Sequence, residues 1–147
     1  NKEGSGDMYY KGALMLNTIR HIINDDAKWW KLLYNYSETY KKQIIDTKTV
    51  IDYFNKESGL DLTSVFNQYL TTTKIPKLVL SKTGNKLSYE WQNVNTDFKM
   101  PVDIVINEKT IRLHPTTSKQ ETKIDKKIKL ENIQVKTNQF FIKVEKK

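Results

Sequence analysis

The apolar positions of this chain change their spacing near Pro76. Before it they recur every three or four residues, the helical period. After it they alternate, the strand period. Residues 9–23 are apolar on nearly all sides and predict a buried helix that wants partners on more than one face. Trp29, Leu33, Tyr36, Tyr40 and Ile44 form a stripe that predicts a second helix over 26–45, with Asp25 or Asp26 at its cap. Thr49 and Asp52 stand at capping-box spacing and predict a short helix through Phe54, with Gly59 as its stop. Asp61 predicts the cap of a fourth helix carrying Leu62, Val65, Phe66, Tyr69 and Leu70, which the run of Thr71, Thr72 and Thr73 and then Pro76 bring to an end.

The second half predicts strands at Lys77–Lys82, Leu87–Val94, Val102–Asn107, Thr110–Leu113, Thr122–Leu130, Ile133–Thr137 and Phe140–Glu145. Thr83-Gly84-Asn85-Lys86 predicts a hairpin turn, and Asn107-Glu108-Lys109 a second tight link. Short strands with regular turn signals predict a small antiparallel β-sandwich. The expected fold class is therefore α+β: a small helical bundle over residues 1–75, then the sandwich over 76–147. Residues 1–6 predict a polar loop entering the first helix. Because the chain starts at Asn1, the natural amino terminus is expected to lie elsewhere.

Composition narrows the picture. No apolar run has membrane-spanning length, so no membrane span is expected. The absence of cysteine excludes disulfides and thiolate metal sites, and leaves the compartment open. Charge is uneven: residues 1–74 carry ten Lys/Arg and nine Asp/Glu, residues 75–147 fifteen and eight. Lysines alternate with apolar residues through 123–130, as on a solvated β surface. Only one of the fifteen cations is an arginine, the usual base reader, so a nucleic-acid partner is not expected.

Few residues suggest chemistry. There is no Ser-His-Asp set in believable context and no glycine-rich phosphate loop. Asp25 and Asp26 have a capping explanation. Trp29 falls on the apolar stripe, and Trp91 lies on one strand face with Leu87 and Tyr89, so both are expected in the core. His21 is expected on the surface at a helix end, and His114, before Pro115, in a turn. They fall in different modules and neither has a Glu-x-x-His partner, so a zinc site within the chain is not expected. Tyr9 places a phenol at the mouth of the first helix. Taken without its neighbours it reads as a core tyrosine. Tyr10 is given a packing role, Lys11 a place on the helix surface with substrate positioning as the alternative, and Gly12 close approach to a facing helix.

Tyr9-Tyr10-Lys11-Gly12-Ala13, at its spacing before an apolar helix, resembles the Tyr-x-Lys-Gly segment of zinc aminopeptidases of the membrane alanyl aminopeptidase type, a gluzincin family. The likeness continues through Asn17-Thr18-Ile19-Arg20, the capped helix around Thr49–Phe54 with its Ser58-Gly59 break, and Phe66-Asn67-Gln68-Tyr69-Leu70 with Ile75-Pro76. It extends to Glu90-Trp91-Gln92 and Phe98-Lys99-Met100-Pro101-Val102, and so runs over almost the whole chain. Tyr69 stands where the family has tryptophan, and Lys74 where it has glycine.

The resemblance implies that Tyr9 is the catalytic tyrosine that donates a hydrogen bond to the oxyanion of the tetrahedral intermediate. It also implies that the helices end a thermolysin-like catalytic domain and that the sandwich is a scaffold beside it. The His-Glu-x-x-His zinc motif, its general base and the Gly-x-Met-Glu-Asn loop that binds the substrate's amino terminus are not in this sequence. The expectation is thus a carboxy-terminal fragment of a zinc-dependent aminopeptidase acting on peptide substrates. Its amino-terminal catalytic core would bind the zinc, and this chain, binding none, would be inactive alone. The alternative is a non-catalytic binding or scaffold module with a basic β-sandwich.

Overall fold

The computed structural model describes residues 7–147, with side chains from Tyr9 onward; the loop expected over residues 1–6 lies outside them. Four helices come first: α1 (Asp7–Ile23), α2 (Asp26–Tyr40), α3 (Thr47–Ser58) and α4 (Thr63–Thr71). Seven strands follow: β1 (Lys77–Thr83), β2 (Lys86–Gln92), β3 (Val102–Ile106), β4 (Lys109–Leu113), β5 (Gln120–Lys123), β6 (Gln134–Val135) and β7 (Lys143–Lys146). They form a four-stranded sheet in the order β5-β2-β1-β7 and a three-stranded sheet in the order β4-β3-β6. The fold is α+β, a helical bundle followed by a β-sandwich, as the spacing predicts.

Local chemistry sets the element boundaries. Asp25, not Asp26, caps α2: its carboxylate accepts the Lys28 N–H at 3.0 Å. Asp26 instead pairs with Arg20. The expected cap of the third helix is corrected. Asp46 accepts the backbone N–H of Thr49 at 2.7 Å, so the helix starts at Thr47. Gly59 stops it in the left-handed region at φ 73°, its N–H bonded to the Asn55 carbonyl at 2.9 Å. The Asp61 carboxylate accepts the Thr63 N–H at 3.1 Å at the start of α4.

The second helix ends at Tyr40 rather than 45. Tyr36 and Tyr40 already meet Tyr53 edge-on, with ring centroids 5.3 and 5.6 Å apart, which completes the α2–α3 contact. Lys42 then takes φ 60° and Ile44 is left fully exposed.

Both predicted turns form. Thr83 pairs with Lys86 around Gly84, at φ 60°. Asn107 and Glu108 both take positive φ and close β3 onto β4. Three predicted strands shrink. Thr122–Leu130 becomes β5 plus a loop, because the Asp125 carboxylate accepts the Lys127 N–H at 2.8 Å and turns the chain. Ile133–Thr137 keeps only β6, and Phe140–Glu145 shifts to β7. The link from β6 to β7 crosses from one sheet to the other, so β7 meets the open edge of β1 running parallel, with Leu78 opposite Val144. All other strand pairs are antiparallel.

One core runs through both halves, from Met15, Ile19 and Ile22 through Trp29, Phe54 and Phe66 to Leu78, Trp91, Ile104 and Phe140. Polar contacts reinforce it. Thr18, fully buried, accepts the Phe141 N–H at 2.9 Å, and the Tyr69 hydroxyl donates to the Phe141 carbonyl at 2.8 Å. Burial pushes the Tyr69 phenol well above its ordinary pKa, which keeps it a neutral donor.

The tightest tie is Arg112. Its guanidinium grips the buried Asp103 carboxylate on the facing strand, Nε at 2.8 Å and Nη2 at 3.0 Å. It also donates to the His21 and Ile22 carbonyls at the end of α1, at 2.7 and 3.1 Å. Arg112→Leu leaves the Asp103 charge buried and unpaired, so a loss of about 3–5 kcal/mol in unfolding free energy is expected in urea titrations. Arg112→Leu combined with Asp103→Leu is expected to recover much of that loss, because no orphaned charge remains.

Candidate functional site

Tyr9 sits in the first turn of α1 and is 75% exposed, and Tyr10 beside it is as open. The tyrosine is therefore not a core residue. Ala13 and Leu14, also exposed, continue an apolar strip along the same outer side. The inner side carries Met15, Thr18, Ile19 and Ile22, all buried. The first helix thus buries one face and leaves a second apolar face open, although its pattern asks for partners on more than one side.

Lys11 is not a free surface residue. It is half-buried, and its ammonium donates to the Thr72 carbonyl at 2.6 Å, at the carboxy-terminal cap of α4. That carbonyl lies at the negative end of the helix dipole, where a cation is favoured. No local signal in the sequence marks this contact, because its partners are 61 residues apart. Among the described residues Gly12 does not serve close approach: a Cβ there would meet nothing within 4 Å.

Asn17 donates to the Asn138 and Gln139 carbonyls, both at 3.3 Å, and so binds α1 to the link between β6 and β7. Arg20 makes a bidentate pair with Asp26, at 2.8 and 2.7 Å, and lies 5.3 Å from the centroid of the exposed Trp30 ring. Trp29 and Trp91 are core residues, 3% and 1% exposed.

Among the described residues no three His, Cys, Asp or Glu side chains gather closely enough to hold a metal ion. His21, expected on the surface, is half-buried with its ring 6.2 Å from that of Phe140. Desolvation, with help from the Arg20 charge, holds its pKa below the ordinary value. His114 is exposed just after β4.

His114 lines a groove of about 500 Å³ with Ile22, Ile23, Leu60, Val65 and Pro101. Ile22 lies 13 residues from Tyr9 along α1, roughly 20 Å at helical rise, so this groove is separate from the Tyr9 phenol.

No family model matches the chain, and no curated protein matches it in sequence. Among solved structures, the chain is similar to Legionella pneumophila aminopeptidase A in a crystal structure with aspartic acid. The TM-score is 0.71 at 11% identity. The match covers 92% of this chain but 17% of that one, so the chain spans about a sixth of the length of the aminopeptidase it resembles. The likeness establishes an aminopeptidase-like fold.

Two outcomes follow from the packing of α1. Gly12→Ala is expected to raise stability by about 0.5–1 kcal/mol, since the methyl group meets no neighbour and the unfolded chain loses freedom; thermal unfolding reads it. His21 binds a proton less readily folded than unfolded. Its contribution is therefore complete above its ordinary pKa of 6.5 and is lost as pH falls through that value toward the lower folded one. Between about pH 7.5 and pH 5.5 the urea midpoint is expected to fall, and to fall less in His21→Gln.

Proposed function

We propose that this chain is the carboxy-terminal part of a zinc-dependent aminopeptidase that removes amino-terminal residues from peptides, and that it supplies the hydroxyl of Tyr9. The observation that carries the proposal is the aminopeptidase-like fold over nearly the whole chain, with a phenol open at the start of α1. The zinc and the group that activates water belong to polypeptide outside this chain.

The chemistry left to this chain is electrostatic. Attack on a peptide carbonyl gathers negative charge on its oxygen. A phenol already aimed at that position donates to the oxyanion without reorganising, and one such donor is typically worth about 3–4 kcal/mol of barrier. The open strip of Tyr10, Ala13 and Leu14 supports a second part of the reading. The amino-terminal core would cover that strip, and the cleft formed there would exclude water around Tyr9.

A basic sandwich that binds an anionic polymer is the second reading. Lys86 and Lys123 face each other across β2 and β5, a pairing unfavourable without a counter-charge. Glu121 supplies one by reaching Lys86 at 3.1 Å. Retention on heparin that falls steeply with salt would favour this reading.

The chain alone is expected to leave amino-acyl anilides intact in the presence of zinc; turnover abolished by a chelator would overturn the proposal. In the full-length protein, Tyr9→Phe is expected to lower kcat by about 10²–10³ with KM changed less than about twofold. An unchanged kcat would remove Tyr9 from the mechanism.

A further inference from the structure

Lys11 lies two residues from Tyr9, yet the two side chains leave α1 on different sides, because neighbours at that spacing are about 200° apart around a helix. The end turns of a helix are its weakest parts, since the leading N–H and trailing C=O groups have no partner within the helix. A phenol that must meet a developing charge needs its turn held in one place. Lys11 reaches inward and donates to the Thr72 carbonyl at 2.6 Å.

Thr72 is itself held. Its hydroxyl donates to the Gln68 carbonyl at 2.8 Å and accepts from the Gln68 amide at 3.0 Å. Gln68 is fully buried. Its amide also donates to the Lys74 carbonyl at 3.0 Å, and its carbonyl oxygen accepts the backbone N–H of Asn95 at 2.8 Å. Asn95 lies in the link between β2 and β3. A continuous path of hydrogen bonds therefore runs from the sandwich through Gln68, Thr72 and Lys11 to the turn that carries Tyr9. Both N–H groups and the oxygen of the buried Gln68 amide are used, which makes the middle of the path stiff.

We propose that Lys11 is a positioning residue for Tyr9: its ammonium, anchored on Thr72 and through Gln68 on the sandwich, fixes the rotation and height of the first turn of α1 so that the phenol meets the oxyanion. The inference rests on the reading of Tyr9 as the oxyanion donor. Lys11 touches no substrate in this arrangement, because its charge points away from the open face. The sandwich then acts on the reaction through this path and is more than a spacer.

The test is steady-state kinetics of the full-length protein on an amino-acyl anilide, with Tyr9→Phe, Lys11→Met, Lys11→Arg and the double variant Tyr9→Phe with Lys11→Met. Lys11→Met is expected to lower kcat about tenfold or more, with KM changed less than about twofold, since a displaced catalytic group loses transition-state stabilisation rather than binding. Lys11→Arg keeps a cationic donor and is expected to restore kcat to within about threefold of the parent. The double variant is expected to be no slower than Tyr9→Phe alone, because a residue that acts through Tyr9 has nothing left to position.

Additive losses would overturn the inference, as would an unaltered kcat in Lys11→Met. If Tyr9→Phe is slow while Lys11→Met is not, only the tether fails. If Tyr9→Phe keeps full turnover, the reading of Tyr9 fails first and takes the tether with it.

Discussion

The guanidinium of Arg112 is the contact on which the arrangement of the two halves depends. The buried carboxylate of Asp103 needs a partner of fixed geometry, and the end of α1 presents carbonyls that the helix itself leaves unpaired. One planar fork answers both demands at once. It thereby locks the last turn of the first helix onto the middle strand of the three-stranded sheet. Lysine at this position would keep the charge and lose the geometry. The apolar core supplies most of the drive to associate, but it is less directional. Arg112, Thr18 and Tyr69 choose one orientation of helix on sheet among those the core would tolerate.

Seen from the other end of α1, the same logic applies to function. Arg112 holds the last turn and Lys11 the turn that follows Tyr9, so the helix is pinned near both ends against groups that are themselves fixed. One side of the helix is buried, and the other displays Tyr9 and Tyr10 just before the Lys11 anchor and Leu14 just after it. A helix held this way can present a hydroxyl from its first turn with little freedom, which a catalytic donor requires. On the proposed reading of Tyr9, the sandwich contributes to the site without lying in it.

Much of the architecture was legible beforehand because it follows from local rules. Gly59 had to end a helix, the Gly84 and Asn107-Glu108 turns had to reverse strands, and Trp29 and Trp91 lay on apolar faces that had to be buried. Each departure has its own physical reason. Ile44 fits the helical stripe but is fully exposed, because the α2–α3 contact is already complete at Tyr40. The Lys-rich alternation of 122–130 matches a strand, yet one aspartate side chain captures the backbone first. Gly12 invites a close neighbour that the described residues do not provide.

What the sequence determines by itself is the order of elements, the change from helices to strands at Pro76, and the motif that brings Tyr9 into question. Periodicity, caps and turns act over a few residues, so they can be read along the chain. What only the tertiary structure decides is that Tyr9 faces outward, that Lys11 is an anchor rather than a surface charge, and that Asp103 and Arg112 tie sheet to helix. Hydrogen bonds across 61 or 91 positions leave no local trace. They exist only once burial removes water as a competing partner and makes each polar group find another.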